Sequence, residues 1–184
     1  MQKTMTHELI IAGFGGQGVL SMGKILAYSA VMQGRQVTWM PSYGPEMRGG
    51  TANVTVIISD EQISSPISQT YDTVIVLNQQ SLDKFEGSVR PGGALIYDPN
   101  GISTPPSRKD IDTYTVAAAS EAARSGNSKV FNMIVLGALL KIRPLVDMEH
   151  VVQGLKKSLP ERVHHTLPQN EEAIRKGMEI VTKA

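Results

Sequence analysis

The chain has 184 residues, and its 18 lysines and arginines nearly balance 17 aspartates and glutamates, giving a formal net charge of +1. This balance, without a dense run of basic residues, argues against a nucleic-acid-binding protein, which usually carries a basic face. The sequence contains no cysteine, so this chain cannot form a disulfide, catalyse through a thiol or ligate an iron–sulfur cluster.

The first elements alternate between strand and helix. Residues 7–14, HELIIAGF, form a short apolar run ending in glycine and phenylalanine, which predicts a buried strand. A helix is predicted from Val19, and Gly34 is placed to end it. A second strand is predicted from residue 36 and is expected to stop at Pro41. Strand, glycine turn, helix and strand together predict a βαβ unit with a right-handed crossover.

The rest of the chain continues this alternation. Runs rich in β-branched and apolar residues predict four further strands within residues 51–59, 72–78, 90–98 and 112–120. Ser81 is the predicted N-cap of a short helix, and a second short helix is expected to break at Gly126. Residues 131–142, FNMIVLGALLKI, are apolar on all sides and predict a helix buried between layers. Two helices follow, one capped by Asp147 and the last starting at Asn170.

Together these elements predict an α/β fold of three layers, α/β/α, with a Rossmann-like, mostly parallel sheet and a C-terminal helix. Residues 1–184 are expected to form a single domain, in which residues 160–184 are a linker and the last helix. The longest apolar run, residues 133–140, is too short to cross a bilayer, and the first residues lack the apolar core of a signal peptide. We therefore expect a cytoplasmic protein that binds neither membrane nor nucleic acid.

No metal site is predicted. The four histidines are interpreted as surface residues, because none has a partner at the spacing that metal ligands need. They are His7, His150, His164 and His165.

A glycine-rich loop follows the first strand. Residues 13–18, Gly-Phe-Gly-Gly-Gln-Gly, match the pattern that lets a helix N-terminus approach a phosphate group. A dinucleotide site also needs an acidic residue about 20 positions further on, and none occurs before Glu46. This argues against NAD binding and leaves two alternatives. The glycines allow close helix packing, or the loop binds a phosphate or carboxylate shared with another subunit.

A second loop, MPSYGPEMRGGTANVTV, spans residues 40–56. It places the guanidinium of Arg48 beside Gly49 and Gly50, where the backbone can approach a ligand closely. Both loops follow strands that are predicted to be parallel, so both should open at the same edge of the sheet. Arg48 is therefore the first candidate for an anion contact, although a simple pair between Glu46 and Arg48 would also explain the two charges.

These two loops carry a resemblance to a known family. The segments GFGGQGV and VTWMPSYGPEMRGGTAN closely resemble the gamma subunit of 2-oxoacid:ferredoxin oxidoreductases, which corresponds to one domain of single-chain pyruvate:ferredoxin oxidoreductases. The segment SYGPEMRGG is most similar to the 2-oxoglutarate and ketoisovalerate types of this family. The resemblance covers residues 8–140, and it is far more specific in the second loop than in the first.

The resemblance implies a subunit of an enzyme that oxidatively decarboxylates a 2-oxoacid with coenzyme A, to an acyl-CoA and carbon dioxide, and passes the electrons to ferredoxin. The complex is expected to use thiamine diphosphate, Mg²⁺ and iron–sulfur clusters, held by alpha, beta and ferredoxin-like delta partners rather than by this chain. The isolated chain is then expected to be inactive. Whether it forms a homodimer in isolation, and which 2-oxoacid is used, are left open.

The site residues that the resemblance implies fall into two groups, and no catalytic proton transfer is assigned to any of them. Candidates for contact with coenzyme A or substrate are Gly15, Gly16, Gln17, Gly18, Arg48, Gly49 and Gly50. Candidates for an interface or structural role are Tyr43, Pro45, Glu46, Thr51 and Asn132. The alternatives to such a subunit are a stand-alone NAD(P)- or flavin-binding oxidoreductase and a purely structural scaffold.

Overall fold

In a computed structural model, which describes residues 4–42 and 51–184, the chain folds into a seven-stranded sheet with helices on both sides. The strands are β1 (Thr6–Phe14), β2 (Gln36–Ser42), β3 (Thr51–Ser59), β4 (Tyr71–Val76), β5 (Val89–Tyr97), β6 (Asp112–Thr115) and β7 (Thr182–Lys183). The helices are α1 (Val19–Met32), α2 (Gln79–Phe85), α3 (Ala118–Arg124), α4 (Phe131–Ile142), α5 (Met148–Ser158) and α6 (Leu167–Ile180). The predicted α/β class, with a C-terminal helix, is confirmed.

The strands lie in the order β2-β3-β1-β4-β5-β6-β7. β1, β2, β4, β5 and β6 run in one direction, whereas β3 and β7 run in the other. The sheet is therefore mostly parallel in strand direction, as predicted. β1 and β2 are parallel but do not pair, because the antiparallel strand β3 lies between them.

Two cores cover the two faces of the sheet. The larger one joins strand residues such as Leu9 and Val56 to the inner sides of α1, α4, α5 and α6. The smaller one lies on the opposite face, where Ile10 and Val74 pack towards Phe85 of α2. Since β1 is buried on both faces, its sequence reads as a continuous apolar run rather than as an alternating one. Among the described residues, no helix has both the length and the apolar composition that crossing a membrane requires.

Pro41 does not end the second strand, so that prediction was wrong. β2 continues through Pro41, which lies opposite Val54 of β3, and ends at Ser42. β2 is an edge strand with a neighbour on one side only. Proline is tolerated there because the position that lacks an N–H group can face away from the ladder.

Two predicted helix starts were also wrong. Asn78, not Ser81, is the N-cap of α2, and its Oδ1 accepts a hydrogen bond from the Ser81 backbone N–H at 2.8 Å. The last helix begins at Leu167, three residues before Asn170, because a 3₁₀ helix (Glu161–Thr166) leads directly into it and a proline lies in its first turn. α6 packs on α4 rather than extending away from the domain.

His7 is buried in β1, so its interpretation as a surface residue was wrong. Its side chain is 9% exposed, and its Nε2 lies 3.1 Å from Thr73 Oγ1 on β4. Burial lowers the pKa of His7 from 6.5 to about 4. The guanidinium groups of Arg143 and Arg90 also lower this pKa, and the carboxylates of Asp72 and Glu8 oppose the shift.

This burial predicts a loss of stability in mild acid. The unfolded chain protonates His7 below a pH of 6.5, whereas the folded chain keeps it neutral until about 4, so stability falls as the pH drops through that window. Between about pH 7 and about pH 4.5 the histidine should cost roughly 2 kcal/mol of unfolding free energy. Urea unfolding of the wild type and of His7→Gln at both pH values measures this. The wild type should lose more stability than the variant, and parallel losses would contradict the assignment.

Candidate functional site

The glycine loop connects β1 to α1 through a tight turn. The backbone N–H of Gln17 donates to the Phe14 carbonyl oxygen at 3.1 Å, which closes a four-residue turn. Gly16 occupies the third position of that turn with a φ of 98°, a conformation that favours glycine. Gly18, with a φ of 74°, then forms the N-cap of α1. The loop geometry therefore requires glycine at these two positions.

The side chain of Gln17 ties the loop to two strand ends. Its Oε1 accepts a hydrogen bond from the Phe14 backbone N–H at 2.6 Å, and its Nε2 donates to the carbonyl oxygen of Leu77 at 3.2 Å. Leu77 directly follows β4, so one amide group bridges the carboxyl ends of β1 and β4. A Cβ on Gly13 would lie 2.6 Å from Gln17 Oε1, so a side chain there would displace the amide from these two hydrogen bonds.

Asn132 lies against the other end of the loop. It is the second residue of α4, and its Nδ2 donates a hydrogen bond of 3.4 Å to the Gly18 carbonyl oxygen. A Cβ on Gly18 would approach this Nδ2 to 2.4 Å, so any side chain at position 18 would displace the Asn132 amide. The N-termini of α1 and α4 thus lie side by side, and neither N-cap residue provides a side-chain hydrogen bond. The positive ends of the two helix dipoles make this junction electropositive, while the Phe131 N–H already donates to the Ser128 carbonyl oxygen.

A surface cavity of about 480 Å³ opens at this junction. Its described walls are residues 16–18 of the glycine loop, three alanines of α3, and residues 128, 129, 131 and 132 around the start of α4. Lys129 is the charged residue among these walls, and no acidic side chain is present among the described ones. The cavity is therefore suited to an anionic or polar ligand rather than to a cation.

Asp98 fixes the alanine wall of the cavity. This carboxylate is 1% exposed, and its Oδ2 accepts a hydrogen bond from the Ala119 backbone N–H at 2.8 Å. Its Oδ1 accepts from the backbone N–H of Asn100, also at 2.8 Å. Asp98 follows β5 directly, so it anchors the start of α3 to the same sheet edge that carries the glycine loop.

Residues 43–50 of the second loop lie outside the described part of the chain. The predictions on Tyr43, Pro45, Glu46, Arg48, Gly49 and Gly50 fall there. The ends of the loop are described: Thr51 lies opposite Phe14 in the ladder of β1 and β3, and Ser42 lies opposite Asn53. The second loop therefore leaves and re-enters the sheet at the edge that carries the glycine loop. The position of Arg48 itself stays a prediction.

The structure brings Gly16, Gln17, Gly18 and Asn132 together at one cavity. Sequence reasoning missed Lys129 and Asp98 as members of this region. Asp98 had a usable signal, since an acidic residue directly follows a buried strand there. For Lys129 the sequence offered no signal other than its position three residues before Asn132.

Comparisons with known proteins point to one family over most of the chain. Residues 8–180 match the family model described as pyruvate ferredoxin/flavodoxin oxidoreductase. Ketoisovalerate oxidoreductase subunit VorA of Methanothermobacter marburgensis is 42% identical over 72% of the chain, but the match spans only 27% of that protein. 2-Oxoglutarate synthase subunit KorC of the same organism is 33% identical over 96% of the chain and 97% of KorC.

A solved structure has the same fold. The crystal structure of the gamma subunit of a keto/oxoacid ferredoxin oxidoreductase from Geobacter sulfurreducens superposes with a TM-score of 0.82 at 28% identity. The match covers 96% of each chain. The resemblance that was predicted from the two loops is therefore confirmed along nearly the entire length.

Proposed function

The chain belongs to the pyruvate ferredoxin/flavodoxin oxidoreductase family, and from this membership we propose that it is the gamma subunit of a 2-oxoacid:ferredoxin oxidoreductase. The observation that supports this most directly is the full-length similarity to KorC. The same similarity favours 2-oxoglutarate as the substrate. The products would be succinyl-CoA, carbon dioxide and reduced ferredoxin.

In this proposal, the decarboxylation and electron-transfer steps depend on cofactors held by other subunits. Thiamine diphosphate with Mg²⁺ would support decarboxylation, and iron–sulfur clusters would carry the electrons to ferredoxin. These 184 residues contain no cysteine, so they cannot hold a cluster through thiolates. Alpha, beta and ferredoxin-like delta subunits would supply these groups. In the relative VorA the matched unit is only a part of a longer protein, so a unit of this kind is joined there to further protein.

The role proposed for this chain is to form one wall of the approach taken by coenzyme A and the 2-oxoacid. The cavity beside the glycine loop is lined by the loop, by Lys129 and by Asn132, and its described walls include no aspartate, glutamate or histidine. Residues 15–18 and Arg48, Gly49 and Gly50 are the proposed ligand contacts. Tyr43, Pro45, Glu46, Thr51 and Asn132 are the proposed structural or interface residues. Catalysis would then depend on preorganised binding rather than on proton transfer by this chain.

Reconstitution tests the proposal. The isolated chain should show no 2-oxoacid-dependent reduction of ferredoxin, and co-production with alpha, beta and delta partners should give activity that requires both coenzyme A and a 2-oxoacid. Among 2-oxoglutarate, 2-oxoisovalerate and pyruvate, we expect 2-oxoglutarate to give the largest kcat/KM. Activity of the isolated chain would contradict the division of labour, and so would tight NAD(P) binding measured by calorimetric titration.

A further inference from the structure

A second cavity adjoins the one beside the glycine loop. It has a volume of about 770 Å³ and lies between the turn at residues 126–130 and the segment from Val163 to Asn170. Ser128 and Lys129 line both cavities. We call the two together the Lys129 groove, since Lys129 lies where they meet. The groove therefore runs from the glycine loop, past Lys129, to the start of α6.

The described walls of the Lys129 groove carry basic side chains but no acidic ones. Lys129 and His165 are its basic residues, and its described walls include no aspartate or glutamate. A third cavity, of about 660 Å³ between α3 and α6, shows the contrast. Its arginines and lysine lie among glutamates, and ion pairs such as Glu121–Arg124 and Lys176–Glu179 neutralise them. Positive potential should therefore favour anions in the Lys129 groove and not in its neighbour.

The backbone around Lys129 is fixed while its side chain is exposed. Lys129 belongs to a 3₁₀ turn (Ser128–Val130), and its backbone N–H donates to Asn127 Oδ1 at 3.2 Å. The next residue, Val130, is buried in the larger core and holds the turn in place. The ammonium group can therefore reach along the groove from a fixed base. Asn132, one turn of α4 away, borders the cavity at the glycine loop.

The size of the groove indicates the kind of anion. Ligand sites for drug-sized molecules occupy about 300–1,000 Å³. Each of the two adjoining cavities lies within this range, which is more than a small dicarboxylate needs. An elongated ligand with phosphate groups at one end and an uncharged remainder fits this shape and charge better. In the reaction proposed above, coenzyme A is the substrate with that chemistry.

We propose that Lys129 binds a phosphate group of coenzyme A, so that the ligand lies along the groove between the glycine loop and the start of α6. This inference rests on the proposed function. An ammonium group is a compact charge that can pair with a phosphate without fixed geometry. Lys129 is then a substrate-binding residue whose effect appears in the KM for coenzyme A rather than in kcat.

The test uses the assembled complex, and wild-type activity is measured first, because its absence would refute the proposed function rather than this inference. Lys129→Gln removes the charge and retains most of the side-chain length. We expect the KM for coenzyme A to rise about tenfold, which corresponds to 1.4 kcal/mol and lies within the range of hydrogen bonds to charged groups. The kcat, the KM for the 2-oxoacid and assembly on size-exclusion chromatography should stay unchanged. Lys129→Arg should retain most of the affinity.

Lys157→Gln is the matched control, since Lys157 is exposed on α5, outside the groove, and its loss changes the net charge equally. Its KM values should equal those of the wild type. An unchanged KM for coenzyme A in Lys129→Gln, or the same rise in Lys157→Gln, would overturn the proposal. A rise in the KM for the 2-oxoacid alone would also overturn it, because the anion bound by Lys129 would then be a carboxylate.

Discussion

Replacing Gly177 by alanine is expected to lower the free energy of unfolding by about 3 kcal/mol. A Cβ at Gly177 would lie 1.9 Å from the carbonyl oxygen of Ile134 on α4. The contact is reciprocal, since a Cβ at Gly137 would lie 1.9 Å from the carbonyl oxygen of Ile174 on α6. Backbone oxygens cannot rotate away as side chains can, so the two helices would have to separate and lose packing along their crossing.

Urea unfolding of the purified chain measures this effect. Gly87→Ala is the matched control, because no atom lies within 4 Å of its added Cβ and its φ is not positive. The control should stay within about 0.5 kcal/mol of the wild type. Gly137→Ala should resemble Gly177→Ala, and the double variant should lose less than the sum, since either methyl group already separates the same helices. A Gly177→Ala chain as stable as the control would contradict the close crossing of α4 and α6.

Gly18→Ala is expected to damage both stability and the site. Alanine at a φ of 74° costs about 1 kcal/mol, and the contact of its Cβ with Asn132 should bring the total to about 3 kcal/mol. The start of α1 and the start of α4 would be pushed apart at the cavity. In the assembled complex we therefore expect kcat/KM for coenzyme A to fall at least about tenfold, since misplaced binding groups weaken transition-state positioning.

Two variants separate the backbone cost from the contact cost. Gly34 has a similar φ of 80° but no atom within 4 Å of an added Cβ, so Gly34→Ala should lose only about 1 kcal/mol. Adding Asn132→Ala to Gly18→Ala removes the amide that lies 2.4 Å away and should restore part of the lost stability relative to Asn132→Ala alone. If Gly18→Ala and Gly34→Ala lost equal stability, Asn132 would have no part in requiring glycine at position 18.

Most elements of the fold could be predicted from local patterns, but their arrangement could not. The apolar run of β1, the end of α1 at Gly34 and the buried helix α4 each have a strong local signal. The insertion of β3 between β1 and β2 has none, because a β-branched run predicts a strand without giving its direction or its neighbours. The error at Pro41 has the same origin, since only the position of β2 at the edge of the sheet makes a proline acceptable there.

For the candidate site, too, the residues could be predicted from the sequence but their contacts could not. The glycine loop and Asn132 could be identified from sequence, the first from its spacing and the second from the resemblance. Their contact could not, because Gly18 and Asn132 are separated by 114 positions in the chain. The burial of His7 could not be predicted either. This polar residue lies at the start of an apolar run, and its hydrogen-bond partner, Thr73, is on another strand. Long-range contacts of this kind depend on the register between strands, which a single sequence does not specify.

The antiparallel insertion of β3 has an evolutionary consequence. Residues 43–50 connect two neighbouring antiparallel strands, and both ends of the connection are held by paired residues of the ladder. Insertions or substitutions between these anchors leave the strand register intact, as in other hairpin connections on a stable scaffold. Sequence changes confined to this connection can therefore accumulate during divergence while the strands that flank it keep their pairing.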